Sequence, residues 1–479
     1  MDYHLISLFV VLLLQLLAAS SSASLPLSPS INLIGSFDWI GYQSPAISSR
    51  CTDMVKRAAA YGSDTLQFIP TFYYQASSDG NIASFCVMDS NYRRCEPVTK
   101  ERIREFESSM ELCFEEAARQ GFKTISITPH LDVASTGESW SIRSWRNGVV
   151  FDPSSKISGF NYQEVLLDPL ARALGRSIDL SSTKINFCLQ GEMGATVFRF
   201  PKKYKKLLSS IRQEIIDASS SSVSRVESQS SPSISLGLSF NFVMVDGGQS
   251  PYNRQSTSET ISNAVLPGTG LIFGPLITSF LAPSVGIRTS SDAPAFDSAS
   301  VVDLLSSLDY IGISAYAPLE LNFDRNSLQN SAFNFVQEMS RAVNTDMDAL
   351  IRRHGIALHY VEFGVGGGED ATGQRPTRDP SEAARKPWAG VFGPYSKSKD
   401  PWTLTPSVGD FMRSYYDKVL SWLEQGAGPT YQIMACHLWS LSSWDVLAIY
   451  PESTTDEGSY LDPIVAKKVQ LHNRNAHTS

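Results

Sequence analysis

KINFCLQGE (184–192) is a short, mostly apolar segment that ends in a glycine and a glutamate. A helical segment follows it, from about residue 202 to residue 218, and the apolar run SISLGLSFNF (233–242) comes next. A strand, a helix and another strand in succession indicate parallel pairing, because the helix returns the chain to the same end of the sheet. Further strand–helix units lie on both sides of residues 184–242.

Apolar runs of strand length occur eight times, and amphipathic segments separate them. One of those segments carries an apolar stripe of helical spacing, at Ile103, Phe106, Met110, Cys113 and Ala117. Eight strand–helix repeats close a parallel sheet, so the sequence predicts an α/β fold of the (β/α)8 TIM-barrel type. The alternative, an open doubly wound sheet, is disfavoured because no strand leads into a glycine-rich phosphate loop. The eight runs are 31–40, 64–70, 123–130, 184–192, 233–242, 309–316, 356–364 and 431–440.

Four long insertions each follow a strand and precede a helix. Such βα loops all emerge at the C-terminal face of a barrel, where active sites lie. The sequence therefore predicts a single barrel domain, residues 24–479, with long βα-loop insertions around a deep or long cleft. The insertions are 71–99, 131–160, 242–300 and 365–405.

The N-terminus carries an apolar run, Leu5–Ala19, of signal-peptide length and too short for a comfortable membrane span. Small residues after it allow cleavage following Ala23, and cleavage following Ser24 is nearly as compatible. We expect residues 1–23 to be a signal peptide and the mature chain to be secreted, without stable insertion in a membrane. Asp2 and His4 stand where basic residues are usual, which keeps an uncleaved anchor as the alternative.

The composition is that of a globular protein, with 42% hydrophobic and 18% charged residues. The formal net charge is −8 and no basic stripe is present, so nucleic acid is not expected as a partner. No cysteine–histidine cluster or cofactor motif appears, so neither a metal nor a cofactor is expected. Cys86 and Cys95 flank a polar loop and are the best candidates for a disulfide. Cys188 and Cys436 lie in apolar runs and are predicted to be buried thiols.

Glu192 ends the fourth run and Glu362 lies near the end of the seventh, so a barrel would bring both to one mouth. Cleavage of an acetal needs a proton donor at the leaving oxygen and a carboxylate at the anomeric carbon. Both glutamates stand among apolar residues and glycines, in LQGEMG and YVEFGVGGG, which is unusual for solvated side chains. We therefore predict that both are catalytic.

Three further motifs lie at strand ends: ITPHLD (127–132), LDYIGISAYAPL (308–319) and HLWSLSSWD (437–445). Together with the two glutamates, they resemble the retaining TIM-barrel glycoside hydrolases with an acid/base glutamate on strand four and a nucleophile on strand seven. The endo-β-1,4-mannanase-like families are the most similar, with the β-1,4-galactanases nearby. The resemblance runs from about residue 31 to residue 443 and is thin in the insertions.

That resemblance implies the role of acid/base for Glu192 and the role of nucleophile for Glu362. It also implies that Tyr316 donates a hydrogen bond to the nucleophile. Trp439 would form the floor beneath the reacting sugar, and His130 would face the substrate.

The sequence departs from the family at Gly191, where an asparagine that binds the sugar 2-hydroxyl is usual. Gln190 would point to the other face of a regular strand, unless a bulge at Gly191 re-aims it. We predict a retaining glycoside hydrolase that cleaves a β-linked polysaccharide or oligosaccharide, mannan-like or a related cell-wall glycan. A catalytically impaired carbohydrate-binding barrel and a transglycosidase are the alternatives, and the sequence leaves the sugar and the oligomeric state open.

Further residues are candidates for substrate binding. Asn241 ends strand five, where it contacts sugar or caps a loop. Asp38 and Trp39 end the first run, and one of them is expected to face the cleft. Aromatic faces match the C–H surfaces of pyranose rings. Tryptophans in or near the catalytic-face loops are therefore candidates too, namely Trp145 together with Trp140 and Trp444.

Overall fold

A computed structural model describes residues 23–33, 50–77, 81–88, 94–134, 146–220, 233–243, 245–246, 296–366, 377–388, 405–441, 445–450 and 461–476. Within these ranges, parallel strands form a closed barrel, because the first strand (Leu27–Leu33) pairs with both the second (Thr65–Ala76) and the last (Ile433–Leu438). The predicted (β/α)8 barrel is therefore confirmed. The eight barrel strands are β1 (Leu27–Leu33), β2 (Thr65–Ala76), β5 (Thr124–Ile127), β7 (Lys184–Cys188), β8 (Ile234–Asn241), β9 (Tyr310–Ala315), β10 (Ala357–Phe363) and β11 (Ile433–Leu438).

Helices follow the strands in the order that the sequence predicts. The apolar stripe of the second helix is buried along its whole length, and the Thr99 side chain caps that helix by accepting from the Arg102 amide. Within the described ranges, no helix is both long and apolar enough to cross a membrane. The helices are α1 (Arg50–Ala59), α2 (Lys100–Arg119), α3 (Asp168–Ser177), α4 (Gly194–Arg199), α5 (Pro201–Ser220), α6 (Ser298–Leu305), α7 (Asn330–Val343), α8 (Met347–His354), α9 (Pro380–Arg385), α10 (Pro406–Glu424) and α11 (Pro463–Ala476), with a π-helical turn at Gln163–Leu167 and a 3-10 turn at Arg325–Gln329.

A small sheet extends the barrel wall beyond strands two and three. Its strands are β3 (Ile82–Met88), β4 (Cys95–Pro97) and β6 (His130–Val133), with the outer half of β2. β2 continues to Ala76, whereas the sequence predicts its end at Pro70, a residue that cannot donate a backbone hydrogen bond. Part of the predicted insertion 71–99 is therefore regular sheet. β6 places His130 and Asp132 two positions apart, on the same face of the wall.

The first strand lies earlier in the chain than predicted. β1 is Leu27–Leu33, whereas the apolar run suggested 31–40. Its alternate residues Ser28, Ser30 and Asn32 are buried, because the barrel interior accepts small polar side chains. Because these polar residues alternate with apolar ones, the start of the strand does not stand out in the sequence as an apolar run.

Polar side chains fill much of the barrel interior, and some of them form hydrogen bonds with one another. Gln67 donates to the Ser30 hydroxyl at 3.4 Å, and Asn186 donates to the Ser126 hydroxyl at 3.1 Å. Gly237 is required beside this layer, since a Cβ there would lie 2.7 Å from the ring of Tyr310. The interior is therefore packed below the mouth.

The cysteines pair in two places. Cys86 and Cys95 form the disulfide that the sequence favoured, and it links β3 to β4. A second disulfide, Cys51–Cys113, joins α1 to α2 and was not predicted. Cys188 and Cys436 are buried free thiols, as expected for cysteines inside apolar strands.

Candidate active site

Glu192 lies in a turn beyond the fourth barrel strand. β7 ends at Cys188, so the prediction that the strand runs to Glu192 is wrong by four residues. The residue has a positive φ of 59°, which is uncommon for a side chain other than glycine. Backbone hydrogen bonds hold this turn on both sides, from the Glu192 amide to the Ser239 carbonyl of β8 at 3.1 Å and from the Gly191 amide to the Pro129 carbonyl, between β5 and β6, at 2.8 Å. The turn therefore presents a carboxyl group that is only 1% exposed.

Gln190 is part of the wall and does not reach into the cleft. Its amide donates to the Ser239 carbonyl at 2.7 Å and accepts from the Met193 amide at 2.6 Å. Both polar atoms of the side chain are thus used by the backbone, which stabilises the turn. The Gln190 side chain is therefore directed to the wall and not toward a sugar.

Glu362 lies on β10 and is 4% exposed. The pairing of β10 with β9 shifts between Tyr360 and Glu362, so the regular alternation of side chains is broken there. The hydroxyl of Tyr316 donates to Oε2 of Glu362 at 3.2 Å, as the resemblance implied.

His130 stands between Glu362 and Trp439. Its Nε2 lies 3.0 Å from Oε1 of Glu362, although the ring N–H is not aligned for a hydrogen bond. The ring stacks on Trp439 with centroids 6.0 Å apart and planes inclined by 21°. Burial lowers the pKa of His130 to about 3, helped by the charge of Arg146, so the ring is neutral.

Arg146 and Asp132 complete the site, and neither was predicted from the sequence. Nη2 and Nε of Arg146 lie 2.7 Å and 3.1 Å from Oε2 of Glu192, and Nη1 donates to Asp132. One signal for Asp132 was its position two residues after His130, on the same face of a strand. Arg146 had no such signal, because nothing in its neighbourhood indicates which carboxylate it meets.

Burial dominates the electrostatics of the two glutamates. It raises the pKa of Glu362 to about 7, while Arg146 and the Tyr316 hydroxyl act in the opposite direction. Burial also raises the pKa of Glu192, and the charge of Glu362 adds to that rise while Arg146 opposes it. The charge of Glu362 therefore acts on the carboxyl group of Glu192.

The other predicted site residues fall into two groups. Asn241 is 1% exposed at the end of β8, opposite Ser314 on β9, and neither polar atom of its amide has a hydrogen-bond partner within the described ranges. Its amide is therefore a buried polar group at the carboxyl end of β8. No group of side chains suited to a metal ion is found among the residues that the structure describes. The remaining candidates, Asp38, Trp39, Trp140, Trp145 and Trp444, lie outside those residues.

No protein-family model matches the chain. A comparison with curated protein sequences gives no match. Among solved structures, the chain is similar to a glycoside hydrolase family 113 β-1,4-mannanase (11% identical, 95% of this chain and 99% of that chain covered, TM-score 0.45). It is also similar to a family 5 mannosidase from Rhizomucor miehei (9%, 95% and 94%, TM-score 0.39) and to a family 26 β-mannanase from Bacteroides ovatus (12%, 98% and 93%, TM-score 0.33). At such identities and TM-scores the comparison assigns no role to any individual residue of this chain.

Proposed function

We propose that this protein is a retaining glycoside hydrolase that cleaves a β-linked polysaccharide or oligosaccharide by double displacement. Glu362 is the nucleophile and Glu192 is the acid/base. The observation that carries the proposal is the pair of buried carboxyl groups, on β10 and on the turn after β7, at one barrel mouth, where the charge of Glu362 acts on Glu192. Structural carboxylates are usually neutralised by a cation, whereas one arginine here serves Glu192 and Asp132 together.

In the first step, the ionised Glu362 attacks the anomeric carbon while Glu192 gives its proton to the leaving oxygen. A glycosyl–enzyme ester forms and the glycosidic bond breaks. In the second step, the ionised Glu192 takes a proton from water, and the resulting hydroxide displaces Glu362 from the sugar. Configuration at the anomeric carbon is retained, because it is inverted twice.

The neighbours of Glu362 suit a nucleophile. Tyr316 donates a hydrogen bond to one oxygen and keeps the carboxyl group in place between the two steps. Neutral His130 contacts the other oxygen without adding a charge. Trp439, held against His130, offers an aromatic face to a pyranose ring.

The substrate class rests on the resemblance of the motifs at strands three, six and eight to the endo-β-1,4-mannanase-like families. We therefore propose a mannan-like or related cell-wall glycan. The polar atoms of Asn241, which have no partner within the described residues, are available to sugar hydroxyls. A transglycosidase would use the same groups and differ only in whether a sugar or water intercepts the ester.

The test is a screen of the purified protein against β-linked mannans, glucans, xylans and galactans, with sizing of the products. The initial anomer released is then assigned by proton NMR. We expect cleavage of a mannan-like substrate with a β-anomeric first product. Binding without cleavage on every substrate would instead favour the carbohydrate-binding barrel, and products longer than the substrate would indicate transglycosylation.

We also propose that the mature protein is exported. The support is the apolar run Leu5–Ala19 and the small residues that follow it. A polymeric wall glycan is encountered outside the cell, so export agrees with the proposed substrate.

A further inference from the structure

The guanidinium of Arg146 donates two hydrogen bonds to a single oxygen of Glu192, Oε2. Its Nη2 and Nε are 2.7 Å and 3.1 Å from Oε2, and neither nitrogen bonds to Oε1, while the Ser314 hydroxyl lies near the same carboxyl group. The Arg146 and Glu192 side chains are almost fully buried, at 5% and 1% exposed. The two oxygens of the carboxyl group are therefore chemically distinct before any substrate arrives.

A neutral carboxylic acid has one hydroxyl oxygen and one carbonyl oxygen, and an arginine offers donors only. A proton on Oε2 would point at two N–H groups, which is unfavourable. A proton on Oε1 leaves Oε2 as a carbonyl acceptor, so both hydrogen bonds from Arg146 survive. The same arginine geometry thus fits the acid form and the base form of Glu192.

We propose that Arg146 is a positioning residue that fixes the transferable proton of Glu192 on Oε1, with Asp132 as the counterion that holds Arg146 in place. The inference deepens the proposed function and rests on it. Arg146 itself transfers no proton, because a guanidinium stays charged throughout.

The surrounding charges explain why Asp132 is needed. The carboxyl groups of Asp132, Glu192 and Glu362 face one guanidinium. A guanidinium that faced Glu192 alone would favour its ionised form and weaken it as an acid. Asp132, whose side chain is 21% exposed at the edge of the site, takes part of that charge. The remaining titratable groups at this point are the neutral ring of His130 and the phenols Tyr74 and Tyr316.

The pH dependence of kcat/KM tests the inference through two variants that should act in opposite directions. Activity requires ionised Glu362 and protonated Glu192, so the two limbs of the profile report these two groups. Arg146 lowers the pKa of both glutamates, so Arg146→Met should move both limbs to higher pH. Asp132 raises the pKa of Glu362 and restrains Arg146, so Asp132→Asn should move the limbs to lower pH. A neighbouring charge shifts a carboxyl pKa by about 1–3 units, so each movement should approach one pH unit or more.

Two further variants separate charge from geometry and from stability. Arg146→Lys keeps the charge with a single nitrogen, so its limbs should stay near those of the wild type while cleavage of poor leaving groups slows. Arg172→Met removes an arginine that pairs with Glu107 and Glu214 on the helical face, far from the mouth, and should leave both limbs in place. Thermal unfolding of each variant checks folding, and Asp132→Asn, the more exposed position, remains informative if Arg146→Met does not fold.

Opposite movements of the limbs in Arg146→Met and Asp132→Asn would support the assignment. Movement in the same direction, or no movement, would overturn it and leave the glycosidase proposal standing. A wild-type protein that cleaves no glycan removes the proposed function, and this inference falls with it.

Discussion

The imidazole of His130 lies against the backbone of Gly191, and a Cβ atom on that glycine would be 2.2 Å from Cδ2 of the ring. No side chain fits at position 191 while His130 stays in place. The space that an asparagine would need before Glu192 is thus taken by a ring whose Nε2 lies 3.0 Å from Glu362. The difference at Gly191 from the mannanase-like pattern is therefore linked to the position of His130.

We expect Gly191→Asn to push His130 away from Glu362 and to destabilise the protein, because overpacking a full site costs about 1–3 kcal/mol. The rate of glycan cleavage should fall as well. His130→Gly in the same chain makes room, so the double variant should regain most of the lost stability. Thermal unfolding of wild type, both single variants and the double variant measures the coupling, and strictly additive losses would contradict it.

Glu362→Ala should abolish turnover on every substrate, because no covalent intermediate can form without the carboxylate. Steady-state rates on a polymeric and on an activated aryl substrate are the measurement. Tyr316→Phe is the matched comparison. It keeps the carboxylate and removes only the 3.2 Å hydrogen bond, so it should slow turnover without abolishing it.

Glu192→Ala should have a graded effect. The loss should be severe for poor leaving groups, which need protonation, and mild in the first step for activated aryl glycosides, which do not. Added azide should then restore turnover and give a β-glycosyl azide, since a small anion needs no general base. If azide instead rescued Glu362→Ala with an inverted product while Glu192→Ala stayed inactive on all substrates, the assigned roles would be wrong.

Glu362→Gln should stabilise the protein at neutral and alkaline pH. Burial raises the pKa of Glu362 from its ordinary value near 4.5 to about 7, so the folded state is penalised once the group ionises. The gap between variant and wild type should widen as pH rises from about 4.5 to about 7 and then level off at about 3 kcal/mol. Chemical unfolding at pH 5 and pH 8 measures it, with Glu115→Gln on the exposed face of α2 as the control. An equal gap at both pH values would show that Glu362 is not penalised by burial.

Peptide mapping without reductant should find Cys51 linked to Cys113. After trypsin, residues 51–56 and 105–119 should run as one species that separates on reduction. The bridge closes a loop with a sequence separation of 62, for which chain entropy gives a stabilisation of about 4 kcal/mol. Cys188 and Cys436 should react with a thiol reagent only after unfolding, because both are buried.

N-terminal sequencing of the exported protein should begin near Ser24. The cell exports the chain with its signal peptide removed if the Leu5–Ala19 run is recognised. Replacing Leu12 with arginine interrupts the apolar run and should block export. A membrane-bound form that retains Met1 would support the uncleaved anchor instead.

The sequence by itself determined the barrel and the meeting of Glu192 with Glu362. The alternation of strands and helices is a short-range pattern, and it is visible without knowledge of any tertiary contact. Once eight parallel strands close, their C-terminal ends share one face, so residues at strands four and seven converge whatever their separation in the chain. The prediction was weakest where polar residues face the barrel interior, as at the start of β1.

Only the tertiary structure decided how the carboxyl groups are held. Arg146 reaches Glu192 because of the strand register and the positive φ of Glu192. His130 lies over Gly191 and beside Glu362, where the pairing of β10 with β9 is irregular. The Cys51–Cys113 bridge between two helices was likewise decided only by the tertiary structure. Hydrophobic periodicity specifies which face of a segment is buried, whereas the direction of a buried polar side chain is set by neighbours that are distant in sequence. For that reason the pair of buried glutamates could be predicted from the chain, and the side chains that contact them could not.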